Sequence, residues 1–214
     1  MNISRIATYL TLVQLITIQL WGSNQEIILS KNVHNTSNIQ FQPHTGQGPL
    51  ANYLSMEIPF LPISEVRLQL ESILKSKLKN RGEAHITVIT PPEYFQVLKE
   101  KISIQEINQL AIKSNLQSSR FEVLCLGAAS PKFQIPSGIQ PPVTYYVVVK
   151  SDDLLKFRVA LQQLYVARGG NPASFDPFHY YPHITVGFTD RDLHESDGVI
   201  KDISTCKLKI VYKD

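Results

Sequence analysis

Cysteine is scarce in this chain: Cys125 and Cys206 are the only two among 214 residues. Two thiolates cannot complete a four-cysteine zinc site. Excess charge of one sign is scarce as well. Lys and Arg number 21 against 18 Asp and Glu, so the formal charge is +3 and the pI about 8.8. A dedicated nucleic-acid binder displays a dense basic stripe; this balance permits an anionic ligand without pointing to one. No low-complexity segment and no solenoid period is present. What remains is ordinary for a globular chain, with 43% apolar and 18% charged residues. The length suits one domain, or two small lobes sharing a core.

Long hydrophobic runs are also missing, with one exception. Arg5 precedes an uncharged stretch from Ile6 to Trp21, and the small residues Gly22 and Ser23 follow. The run is marginal for spanning a bilayer and typical of a signal-peptide core. Residues 1–23 are therefore expected to be a signal peptide, with an N-terminal anchor as the alternative. The expected location is the secretory pathway or the exterior, with no stable membrane association once the segment is cleaved. Asn35-Thr36-Ser37 is an acceptor pattern for N-glycosylation. Cys125 and Cys206 either pair or stay as two buried thiols.

Residues 24–49 are polar and are expected to form an arm with little regular structure. Residues 50–214 are expected to form the folded domain. Leu54 to Pro59 reads as a strand. A helical pattern opens near Pro62 and Ser64, continues through Val66, Leu70, Ile73 and Leu78, and stops at Gly82. His85 to Thr90 is short and β-branched, hence a strand, bounded by Pro91 and Pro92. Glu93 to Leu116 reads as helix with a break near Ser103. Strands follow at Phe121 to Leu126 and Val143 to Lys150. Ser151-Asp152-Asp153 caps a helix to about Arg168, then come strands at His183 to Phe188 and Cys206 to Tyr212. Short strands mixed with helices suggest an α+β fold with antiparallel sheets.

Two of these strands carry the same tetrapeptide, His-Ile-Thr-Val, at His85–Val88 and His183–Val186. Alternation along a strand sends each His and Thr to one face and each Ile and Val to the other. Each strand thus offers an imidazole and a hydroxyl to one surface. Two imidazoles titrating near neutral pH can serve as general acid and base. Hydroxyls can donate to phosphate oxygens as charge builds on them. A lone His-x-Thr is weak; two identical copies, in corresponding places of two half-chains, are much stronger.

The pair resembles the signature of the 2H phosphoesterase superfamily, two His-x-Thr/Ser-hydrophobic motifs on pseudo-symmetric lobes. Pro182 before the second motif, Gly187-Phe188 after it, and the strand and helix of Leu54 to Asn80 resemble it too, over about residues 50–212. Asp192-Leu193-His194-Glu195 resembles the Swiss army knife, RNA-repair-like branch. The resemblance implies a bilobal α+β fold, with two antiparallel sheets facing a central cleft and helices outside. It also implies metal-independent hydrolysis of 2′,3′-cyclic or related phosphodiesters of RNA or nucleotides. On this reading His85 and His183 are catalytic, Thr87 and Thr185 hold the phosphate, no cofactor is needed, and the protein is a monomer.

Around the motifs, Tyr180, Tyr181, Arg81 and His194 are candidate substrate contacts. Arg168 is a further cation placed at a helix end. His194 and its acidic neighbours Asp190, Asp192 and Glu195 read most simply as a solvated loop. Two other readings stay open. The pocket could capture a nucleotide or phosphorylated ligand without turnover, or His179 and His183 could serve a metal-dependent hydrolase.

Overall fold

The computed structural model describes residues 25–132 and 139–213. The segment read as a signal peptide lies outside the described residues, among which no helix is long and apolar enough to cross a membrane. Seven strands are joined in one mixed sheet: β1 (Glu26–Ser30), β2 (Leu54–Glu57), β3 (His85–Ile89), β4 (Glu122–Ala129), β5 (Thr144–Lys150), β6 (His183–Phe188) and β7 (Cys206–Lys213). Their spatial order is β1-β7-β4-β5-β6-β3-β2. The four helices are α1 (Phe60–Leu74), α2 (Pro91–Gln96), α3 (Ile104–Lys113) and α4 (Asp152–Ala167).

The α+β class is as expected, but one sheet stands where two facing sheets were expected. β3 and β6 approach closely enough to pair at the middle, through Ile86 and Ile184, and this seam merges the halves. The sheet is not wholly antiparallel either, because β1 runs parallel to β7. β1 also corrects the reading of an irregular N-terminal arm. Its Ile27 and Leu29, with Val33 just beyond, are fully buried, and the Gln69 side chain clamps Ile28 through both its N–H and its carbonyl.

One face of the sheet is the hydrophobic core. Met56, Ile86, Val88, Val147, Val149, Ile184 and Val186 leave alternate strand positions on this side. Helix α1 adds Ile63, Val66 and Leu70, and α4 adds Leu154, Phe157 and Leu161, at helical spacing. Helix α4 starts at Ser151, whose hydroxyl accepts the Leu154 N–H, with Asp152 and Asp153 in the first turn favouring the positive helix end. Helix α1 ends at Lys75, which takes a left-handed conformation with φ 54°, and not at Gly82. The Glu71 carboxylate secures this end by accepting the Leu78 N–H and bonds from Arg67 and Lys77, which hold its pKa at about 2. The long helix expected from Glu93 is broken into α2, a short 3-10 turn and α3. Thr90 and Ser103 each open a capping box, with Glu93 and Glu106 respectively.

The opposite face carries a smaller apolar cluster of Cys125, Tyr146 and Val148. Cys125 and Cys206 form a disulfide, their Cα atoms 5.7 Å apart. Gly127 makes room there: a Cβ would meet the Tyr146 ring at 2.6 Å.

Candidate active site

The register of β3 against β6 builds the site. With Ile86 opposite Ile184 in antiparallel strands, counting one residue outward places His85 across from Thr185 and Thr87 across from His183. Facing Cα atoms in such a pair lie about 5 Å apart. Because Ile86 and Ile184 enter the core, all four polar side chains leave the other face. The arrangement has an approximate two-fold symmetry in which each imidazole faces the hydroxyl of the other motif.

His183 is held in one tautomer. Its Nδ1 lies 2.8 Å from the Tyr181 carbonyl, which only accepts, so Nδ1 carries the proton and Nε2 keeps its lone pair. The Tyr146 ring meets the imidazole edge-on at 5.6 Å between centroids. Tyr146 donates to Thr205 and, with burial raising its pKa to about 12, stays protonated. Burial also pushes the His183 pKa well below its ordinary value, and the Lys201 ammonium pushes the same way. The Tyr181 carbonyl and Asp192 oppose them without prevailing.

His85 has a different shell. Its Nδ1 makes no hydrogen bond to another described residue, and the Glu83 carboxylate is 3.7 Å away. Burial lowers the His85 pKa, while Glu57 and Glu83 favour the protonated ring. Glu57 sits directly across β2–β3 from His85. Burial alone would raise the Glu57 carboxyl, but bonds from His44 and Ser55, with His85 nearby, keep it ionised to lower pH. His44 stacks on Tyr53 at 4.1 Å, and both rings stand about 6 Å from His85, at 6.5 and 6.1 Å.

The hydroxyls differ as well. The Thr87 hydroxyl makes no hydrogen bond to another described residue. Thr185 donates a long bond, 3.3 Å, to Asp192 Oδ2. Asp192 also accepts from Arg81 at 3.3 Å and from Lys201 at 2.9 Å. Asp192 and Lys201 are both buried, so the reading of this stretch as a solvated loop fails at Asp192. Its ion pair with Lys201 holds the carboxylate ionised against the cost of burial. Arg81, Glu83, His85, Thr185 and Asp192 line a small recess beside the motif strands.

The other candidates are dispersed. Tyr181 contributes its backbone to His183, and its ring lines a second cleft. The Tyr180 ring packs against the Arg158 guanidinium at 4.6 Å. His194 stands on an exposed turn, its N–H donating to Asp197, and borders neither recess. Arg168 is paired with Glu106. His179 directs Nε2 to Glu195 at 3.0 Å. Among the described residues no group of three or more His, Cys, Asp or Glu side chains is placed to hold a metal ion, so the His179–His183 reading finds no donor set.

Sequence reasoning missed Arg158, Lys201 and Glu57. Arg158 had a legible signal, since it falls four residues after Leu154 and three before Leu161, on the apolar stripe of α4. Lys201 had none, because only its approach to Asp192 distinguishes it from a surface lysine.

Comparison with known proteins agrees with this geometry. No curated protein and no solved structure matches the chain. Residues 52–194, which contain both motifs and Asp192, match the family described as Swiss Army Knife, 2H phosphoesterase domain. That match places the chain among phosphodiesterases in general, and the chain belongs to the Swiss Army Knife branch of the 2H phosphoesterase superfamily.

Proposed function

We propose that the protein hydrolyses 2′,3′-cyclic phosphates, or related phosphodiesters of RNA and nucleotides, by metal-independent acid–base catalysis between its two motif histidines. The observation that carries this reading is the pairing of Ile86 with Ile184, which sets two His–Thr pairs on one face in mutual opposition.

The two environments divide the labour. His183, neutral and protonated on Nδ1, presents Nε2 as the general base that takes a proton from water. His85, flanked by Glu57 and Glu83, is the acid that protonates the leaving oxygen. An anionic phosphate between the rings favours the charged form of His85 further. The Thr87 hydroxyl donates to a non-bridging oxygen, and Thr185 turns from its long bond with Asp192 to do the same. After one turnover His183 carries the proton that His85 has lost, and exchange with solvent restores both. We also propose that the protein works in an oxidising compartment, supported by the Cys125–Cys206 disulfide.

The test is hydrolysis of a set of 2′,3′-cyclic nucleotides by the full chain in EDTA, beside His85→Ala and His183→Ala. Turnover by the wild type and a loss of at least about a hundredfold in each variant is expected. A wild type inert on the whole set would overturn the cyclic-phosphate reading and direct work to 2′,5′-linked diesters. Ligand bound tightly but recovered unchanged would select the binding-module reading. Loss of activity in EDTA would favour a metal-dependent reaction.

A further inference from the structure

On the face that bears the motifs, beyond His183 on the side away from His85, the strands β5 and β4 floor a second, open cleft. Phe178, Tyr181, Pro182, Val148 and Ile203 supply its apolar surface, and Lys201 also lines it. The cleft adjoins the reacting groups in two ways. Val148 faces His183 in the β5–β6 register, so both side chains leave the same face. Pro182 immediately precedes His183, and the Tyr181 carbonyl holds its ring. Val148 and Pro182, both lining the cleft, are thus the cross-strand and chain neighbours of His183.

The lining names the group. Phe178 and Ile203 are 70% and 66% exposed, and large apolar side chains left bare around a concave surface mark a binding site. Two aromatic rings and a proline among aliphatic side chains suit the face of a planar ring. At the rim, Lys150 and Asp152 keep side chains 65% and 71% exposed and pair only loosely, at 3.8 Å, so a donor and an acceptor stand free for the polar edge of a heterocycle. An alkyl chain would find the walls but no use for the charged rim.

We infer that this cleft is the nucleobase subsite of the phosphodiester substrate. The inference deepens the hydrolase reading and rests on it for the position of the phosphate. Calorimetry on the full chain tests it with three probes that are not turned over: adenosine 3′-monophosphate, ribose 3-phosphate and octyl phosphate. The adenosine compound is expected to bind roughly tenfold tighter than the ribose compound, the scale of one base–aromatic stack. The double variant Phe178→Ala/Ile203→Ala should erase that preference; both side chains are exposed, so the fold does not depend on them. Ile112→Ala, an equally exposed apolar side chain on α3, should retain it. Equal affinity for the two sugar phosphates, no binding of any probe, or tighter binding of octyl phosphate would each overturn the subsite. A base preference erased by the double variant in a protein inert on cyclic nucleotides would sink the cyclic-phosphate reading and leave the subsite standing. Turnover without base preference would do the reverse.

Discussion

Replacing Arg158 by Met should both destabilise the protein and misplace its second motif. Arg158 is 1% exposed and is a fully buried charge. Its guanidinium donates to the carbonyls of Val88 at 2.8 Å, Pro177 at 2.9 Å, Asp176 at 3.1 Å and His179 at 3.2 Å. It also pairs with the Glu93 carboxylate at 2.7 Å, and lies against the rings of Phe175 and Tyr180. One side chain thus ties the end of the first motif strand to the loop that enters the second. Methionine keeps the apolar stem and removes every donor. Several carbonyls lose their partner, and Glu93 retains only its capping bonds. Removing one partner of a buried ion pair costs about 3–5 kcal/mol, and Arg158 belongs in that range. Arg158→Lys retains the charge, but three N–H donors on a point-like ammonium cannot serve this spread of acceptors, so the loss should be intermediate. Urea unfolding followed by circular dichroism reads the stability. The activity of the fraction still folded reads the placement of His183, because the loop from Asp176 to His179 leads into the carbonyl that orients it. A loss below about 1 kcal/mol would refute the argument that these bonds are needed. Full kcat in a destabilised variant would refute the link to His183.

The pH dependence of kcat/KM should be bell-shaped and centred below 6.5, because His183 must be neutral, His85 must be protonated, and both pKa values are lowered in the fold. Glu57→Gln removes a carboxylate that favours protonated His85, so the basic limb should move to lower pH; an unmoved limb would deny His85 the acid role. Stability should follow the opposite trend. Each histidine is harder to protonate in the fold than in the unfolded chain, so their contribution is complete above about pH 6.5 and is lost as pH falls from there towards the folded values. Thermal melts at pH 7.5 and 5.5 check the sign, and His183→Gln should reduce the fall. Replacing Cys125 and Cys206 by Ala opens a loop of 81 residues and should cost about 4.5 kcal/mol by loop entropy; a urea midpoint close to wild type would contradict this.

Local chemistry was legible wherever it is decided by neighbours in sequence. The β-branched tetrapeptides formed strands because alternation gave each a core face, and Ser151 capped its helix through a hydroxyl reaching the backbone N–H three residues on; the same caps at Thr90 and Ser103 went unread. The stop of α1 was misplaced because nothing in a lysine foretells a positive φ, whereas Gly82, also at positive φ, lies in the turn beyond. Glu26–Ser30 was passed over because five residues carry little periodicity, and its burial comes from β7 and α1, both distant in sequence.

The sequence by itself determined the chemistry of the site. It supplied two imidazoles and two hydroxyls, each pair forced onto one side of its strand by the two-residue period. Only the tertiary structure decided how the pairs meet. The single register of Ile86 against Ile184 crossed each histidine with the other motif's threonine in one sheet, where two facing sheets had been expected. Only the tertiary structure made the two histidines unequal, since the Tyr181 carbonyl and Lys201 act on one ring while Glu57 and Glu83 act on the other. Identical tetrapeptides cannot encode that difference, because a pKa is set by desolvation and by charges that the fold brings from elsewhere in the chain.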